Sequence, residues 1–327
     1  MGTHRSRIFS VLAAVFLVTF GIVSFSNELR GQRCYPSQAE CIARVHRNQL
    51  YGHSPREVLD LYVPQRLEGY PPLVVYIHGG GFTGGDKDRV PVTLVKALLA
   101  KGYAVASVNS RPVQQVRYPE PMLDVNRALR CLHEHAQEFH LDGNRIVLSG
   151  SSAGGGIALW IGLRDHRTLN QASQSLVVPP AIAGVIAIDT QTTYDPEEIS
   201  KVFDTRQFPP FLGRLYGMTT ADLPRAKANM RQVFRDASPV THLTADDPPV
   251  VLIYTTPDVL PGANAPPKAY LHHVKFGEYL KLKADKAGAK VMLRRAAGVR
   301  KQSERFSQIF LEELKQILDS PSAGKQG

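Results

Sequence analysis

Two short runs in this chain hold residues that could do chemistry. The first, His78-Gly79-Gly80-Gly81-Phe82, closes the apolar stretch Leu73–Ile77; the second, Gly150-Ser151-Ser152-Ala153-Gly154, closes the stretch Ile146–Ser149. A serine flanked at ±2 by glycine, after a strand-like run and before the helix-period segment Ala153–Leu163, has the setting of a nucleophile on a sharp strand-to-helix turn. Gly155 and Gly156 let that helix pack close to the strands, and its N-terminus aims free N–H groups at the site. Glycines in the first run allow the main chain to approach a substrate closely. With the N–H of Ala153, those of Gly80 and Gly81 would hold an oxyanion, each donor being worth about 3–4 kcal/mol in the transition state. His78 reads as a brace for this loop rather than as a proton acceptor.

Together the motifs resemble an α/β-hydrolase of the hormone-sensitive-lipase-like carboxylesterase group, which carries an HGGG loop ahead of GxSAG. The resemblance runs from about Asn48 to the C-terminus. It includes Leu59-Asp60-Leu61-Tyr62-Val63-Pro64 and Tyr118-Pro119-Glu120-Pro121 with Asp124. Ser151 departs from it, since the family usually has an acidic residue there. The resemblance implies hydrolysis of carboxylic esters through an acyl-serine intermediate at Ser152, with no cofactor and no metal.

Family order is serine, acid, histidine. It places the acid after the apolar run Val250–Tyr254, in Thr255-Thr256-Pro257-Asp258, and so at Asp258. The histidine should follow the last strand, near Ala296-Ala297-Gly298-Val299-Arg300, and none is there. Arg300 cannot substitute, because a guanidinium stays protonated and accepts no proton. Only His272 and His273 follow Asp258, and they open a helical run. A helix after the acid strand starts on the C-terminal face of the sheet, so His273, or its neighbour His272, is expected as a relocated base. Their other reading is as helix caps or pocket lining. Without a base the serine is a poor nucleophile, and the chain becomes a silent hydrolase fold that binds a ligand or partner.

Strand-like runs at Val58–Val63, Leu73–Ile77, Ala104–Val108, Ile146–Ser149, Ile182–Ile188, Val250–Tyr254 and Lys290–Leu293 alternate with helix-period segments. Among these are residues 122–139 and the C-terminal stretch through Phe306, Phe310, Leu314 and Ile317. That alternation predicts an α/β fold, a mostly parallel sheet covered by helices on both faces. Arg44–Tyr51 and Val58–Val63, separated by Gly52-His53-Ser54-Pro55, read as an antiparallel hairpin. Residues 195–245 break the rhythm, with several prolines and a polar helical run near Ala221–Phe234. They read as a lid-like insertion over the sheet edge or as a surface loop carrying a helix.

The chain has 327 residues, 43% of them hydrophobic, enough for one large core. Residues 1–26 fall outside it. His4, Arg5 and Arg7 precede the apolar run Ile8–Phe25, and Ser24-Phe25-Ser26 offers a cleavage site, the pattern of a secretory signal peptide. A retained signal anchor, with the chain tethered to a membrane, is the alternative. Residues 27–327 then form one exported, periplasmic or extracellular, hydrolase domain. The charge of +10, or +8 without Arg5 and Arg7, is scattered. That argues against nucleic acid, which calls for a concentrated basic stripe, and reads Arg294-Arg295 and Arg300-Lys301 as solvated surface. The partner that the resemblance implies is a small-molecule ester, with any membrane contact confined to an uncleaved leader and the oligomeric state open. Cys34 and Cys41 are close enough for a local disulfide, while Cys131 reads as a buried free thiol.

Overall fold

The computed structural model describes residues 43–65, 69–164, 181–262 and 264–320. The leader and the Cys34–Cys41 pair lie outside the described residues. Eight strands form one sheet: β1 (Ala43–Leu50), β2 (Val58–Pro64), β3 (Pro72–Ile77), β4 (Ala104–Val108), β5 (Asp142–Ser151), β6 (Ile182–Ile188), β7 (Val250–Tyr254) and β8 (Val291–Arg295). Their spatial order is β1-β2-β4-β3-β5-β6-β7-β8. The β1–β2 and β2–β4 pairs are antiparallel and the other pairs parallel. This is the α/β-hydrolase sheet that the alternating runs imply.

Period-two alternation feeds two cores. Leu73, Val75 and Ile77 of β3 face one way, with Val74 and Tyr76 facing the other. On the first face lie α2 (Glu120–Glu134), α3 (Ala153–Leu163) and α8 (Lys275–Ala287). On the second, Leu94 and Leu98 of α1 (Val92–Ala100) meet Phe306, Phe310, Leu314 and Ile317 of α9 (Ser303–Asp319). The 4-4-3 spacing of those four α9 residues keeps them on one stripe. α3 contains four glycines, so its own propensity is poor. Burial of almost every one of its residues between the sheet and its helical neighbours is what makes it a helix.

Element ends differ from the sequence reading where tertiary pairing decides them. β5 extends to Ser151 because it pairs with β6 up to Ser151↔Ile188. β8 reaches Arg295, its edge position letting charged side chains lie outward. α2 stops at Glu134, where the His135 and Ala136 amides turn back to the carbonyls of Cys131 and His133. Cys131 is a free thiol but only half-buried, on the rim of α2 near His135.

Residues 195–245, between β6 and β7, contain no strand and carry α4 (Pro196–Phe203), α5 (Pro210–Tyr216) and α6 (Ala228–Ala237). Proline at the first turn starts α4 and α5, where its missing N–H costs nothing. The expected run through 221–234 is split: Pro224 sits in a short 3-10 turn, Leu223–Arg225, and α6 begins only at Ala228. Phe211 of α5 packs at a tilt against Phe82, so this segment lies over the glycine loop that ends β3. A four-residue helix, α7 (Pro267–Tyr270), leads into α8.

Candidate active site

Ser152 is the single residue between β5 and α3, and it is held at φ 54°, ψ −123°. A non-glycine residue persists there only when its surroundings fix it. Three bonds do so. The Ser152 amide donates to the Ile188 carbonyl at 2.9 Å, and the Ser152 carbonyl accepts from Gly156 N at 3.0 Å and from the Thr190 hydroxyl at 2.8 Å. The turn also needs bare backbone on α3: a Cβ on Gly154 would lie 2.2 Å from the Ile77 carbonyl oxygen.

The loop after β3 lies directly against this serine. A Cβ on Gly79 would come within 3.4 Å of the Ser152 Cβ. Gly80, Gly81 and Phe82 all have positive φ (133°, 58° and 58°). At Gly80 a Cβ would strike the Gly84 carbonyl oxygen at 2.0 Å, so this position tolerates only glycine. The loop's carbonyls are engaged, which fixes its peptide planes. His78 Nδ1 donates to the Gly79 carbonyl at 2.8 Å, Thr83 donates to that of Gly80 through both N–H (3.1 Å) and hydroxyl (3.0 Å), and Val113 N donates to that of Phe82 at 2.8 Å. The buried His78 ring is therefore a brace, and its burial lowers its pKa.

The imidazole on the serine belongs to His272. Its Nε2 lies 2.9 Å from Ser152 Oγ, reached from the turn between α7 and α8. The residue opens to solvent, yet partial burial of its ring lowers its pKa. The Asp189 carboxylate works to raise it, and the Arg300 guanidinium to lower it further.

His273, named first among the expected bases, goes elsewhere. Adjacent residues in a turn project to different sides, and this ring packs edge-on against Phe203 in the core. Its Nδ1 accepts from Lys275 N at 3.1 Å, and its Nε2 faces Asp258 Oδ1 at 3.5 Å. Asp258, the expected acid, is accordingly shared between His273 and Arg295, whose Nε is 3.6 Å away, rather than set behind His272.

Asp189, Thr190 and Gln191 were not singled out by the sequence, and Arg300 was singled out only as a group unable to act as base. Asp189, at the end of β6, is buried; it accepts from the Thr255 amide and hydroxyl, both at 2.6 Å, and pairs with Arg300 at 3.1 Å. Arg300 also donates to the Ser151 hydroxyl at 3.0 Å. It is thus tied into the elbow, not simply solvated surface; Arg294 and Arg295 are paired too, with Glu313 and Glu278. Thr190 and Gln191 complete the same strand end. The available signal was the abrupt change from Ile182–Ile188 to Asp189-Thr190-Gln191-Thr192-Thr193, a polar run at the carboxyl end of a central strand. Among the described residues no cluster of three or more His, Cys, Asp or Glu side chains is placed to hold a metal ion.

Comparison with known proteins gives the family and the fold. The BD-FAE family profile matches residues 59–262, which include the glycine loop, the elbow and Asp258. Esterase LipC of Mycobacterium tuberculosis is 29% identical over 216 residues, 65% of this chain and 51% of LipC. The isoprenylcysteine alpha-carbonyl methylesterase ICME of Arabidopsis thaliana is 33% identical over 115 residues, 35% of this chain and 27% of ICME. The chain thus spans about half or less of the length of these relatives. Among solved structures, a truncated carbohydrate esterase from gut microbiota superposes with a TM-score of 0.65 at 17% identity, over 85% of this chain and 99% of that one. A bacterial heroin esterase does so with a TM-score of 0.58 at 23% identity, over 85% and 84%. At such identities these two likenesses concern the fold.

Proposed function

The chain belongs to the BD-FAE family, and on that premise we propose that it is a serine hydrolase acting on carboxylic esters of small molecules. The observation that carries the reading is the 2.9 Å approach of His272 Nε2 to Ser152 Oγ. With its lowered pKa the imidazole is neutral at pH 7 and able to accept a proton. As Ser152 Oγ attacks the ester carbonyl, its proton passes to His272 Nε2. The carbonyl oxygen gains the negative charge and is met by the amides of Gly80, Gly81 and Ala153. His272 then protonates the leaving alcohol, leaving an acyl-serine. Water, deprotonated by the same nitrogen, releases the acid.

Among the described residues no carboxylate is hydrogen-bonded to His272 behind this step. Asp189 stabilises the imidazolium through its charge, with Arg300 opposing it. The expected cost is a modest turnover, not its loss, since oxyanion stabilisation and binding supply a large share of catalysis independently of the acid. The rival reading as a silent binding protein assumed a serine without a base, and the position of His272 speaks against it. Curated relatives described as ester hydrolases support the same side.

The test is hydrolysis of short-chain p-nitrophenyl esters together with labelling by a fluorophosphonate. Wild type should turn over and be labelled; Ser152→Ala should do neither, and His272→Ala should lose at least about a hundredfold in kcat. Folded wild type that neither labels nor hydrolyses any such ester would reject the reading.

A further inference from the structure

The late loop that should carry the base carries Arg300, and His272 comes instead from a turn between two helices. A base on such a turn needs its backbone held, because a displacement of about 1 Å at a reacting group can cost on the order of a hundredfold in rate. The structure shows what holds it. Gln191 Nε2 donates to the carbonyl of Leu271, one residue before the base. The Thr256 hydroxyl donates to the carbonyl of His272 itself at 2.6 Å. Both donors are anchored on strand ends that also hold the serine. Gln191 follows Ile188 and Thr190, which bond the Ser152 backbone. Thr256 follows Thr255, which Asp189 grips through two 2.6 Å bonds. Arg300 joins Asp189 to the hydroxyl of Ser151, the residue before the nucleophile.

The geometry points to Thr256 and Gln191 as positioning residues for the base: they lock the His272 turn onto the strand ends that hold Ser152, and so set the serine–imidazole distance. This inference rests on the esterase reading above. Neither residue touches the reacting atoms. Their effect is on the fraction of time that Nε2 spends within reach of Oγ, which alters kcat and leaves substrate binding alone.

Thr256→Val keeps the side-chain shape and removes the donor, while Thr256→Ser keeps the donor and removes a methyl. The freed His272 carbonyl lies in a solvent-open turn, so the valine variant should fold. Steady-state kinetics should show kcat reduced by about ten- to a hundredfold in Thr256→Val and in Gln191→Leu, with KM within about twofold of wild type. Thr256→Ser should restore most of it. The rate of fluorophosphonate labelling, which reads only folded protein, should fall in parallel with kcat. Ser152→Ala and His272→Ala run alongside. If those two are inactive while Thr256→Val and Gln191→Leu keep wild-type kcat and labelling, the positioning role is wrong and the esterase reading survives. Losses that appear only as a lower melting temperature, with kcat per labelled molecule intact, also overturn it. Activity that persists in Ser152→Ala rejects both.

Discussion

At the scale of single residues the chemistry turns on which side chain faces Ser152, and charge makes that testable. Arg300 disfavours the protonated form of His272, so removing the guanidinium should let the imidazolium persist to higher pH. The acid limb of the kcat/KM profile, which reports the free enzyme's base, should therefore lie below pH 6.5 in wild type and move upward in Arg300→Gln. An unmoved limb would mean that His272 is not the titrating base. The two histidines should separate as well. His272→Ala removes the proton acceptor, whereas His273→Ala removes a buried ring beside Phe203 and should lower thermal stability more than kcat, as melting curves and initial rates would show. The meeting of Ser152 with the glycine loop was legible because each glycine run follows an apolar strand and so ends on the same side of the sheet, although glycine-rich turns are common singly. The imidazole that faces Ser152 was legible only as one of a pair, since the choice between His272 and His273 is made by the rotation of one turn, which no spacing rule encodes. Asp189 was not legible at all: it belongs to no motif, and its role comes from Thr255 and Arg300 arriving from distant parts of the chain.

At the scale of elements the site is a meeting of strand ends. The runs Ala104–Val108, Ile182–Ile188 and Val250–Tyr254 were readable to the residue because buried parallel strands are short, continuous and apolar. The helices of 195–245 were not, because prolines interrupt their stripes and their apolar residues, such as Phe203 against Phe276 and Tyr216 against Phe234, pack on other helices. The glycine loop gives this scale its test. Gly80→Ala places a methyl into the Gly84 carbonyl at a backbone angle alanine avoids, so the amides of the loop must shift. Loss of one well-aimed oxyanion donor costs about 10²–10³ in kcat, and the variant should lose that much while His272 and Ser152 are untouched. Wild-type turnover in Gly80→Ala would remove this loop from the oxyanion site. α5 has a different job. Phe211 packs on Phe82 and lies 3.2 Å from where a Gly81 side chain would begin. Phe211→Ala should therefore raise KM for longer acyl chains more than for acetate esters, measured across a p-nitrophenyl ester series.

At the scale of the whole molecule the buried histidines set a limit on acid stability. His78 and His242 are both driven below the ordinary value of 6.5 by burial, the carbonyls of Gly79 and Asp236 compensating only in part. In the unfolded chain these rings protonate near 6.5, while in the folded protein they resist doing so. Below that pH the unfolded state thus binds more protons, and stability must fall as pH drops. A second loss follows at lower pH. Glu57, despite burial that works against it, is held below its ordinary 4.5 by bonds from Ser54 and Arg127, and Asp86 is likewise held below 3.8 by bonds from Asp88 N, Asn109 and Arg56. Both lose that stabilisation once protonated. Asp195 runs the other way, raised by burial, and softens the lower limb. The thermal midpoint should accordingly be level just above neutral pH, decline through the histidine window as pH falls and drop faster through the carboxylate window. His242→Gln tests the assignment away from the active site, because a glutamine amide can still donate to the Asp236 carbonyl but takes up no proton. That variant should melt with a shallower slope between neutral pH and the carboxylate window, and an unchanged slope would mean that His242 has no part in the acid sensitivity of this fold.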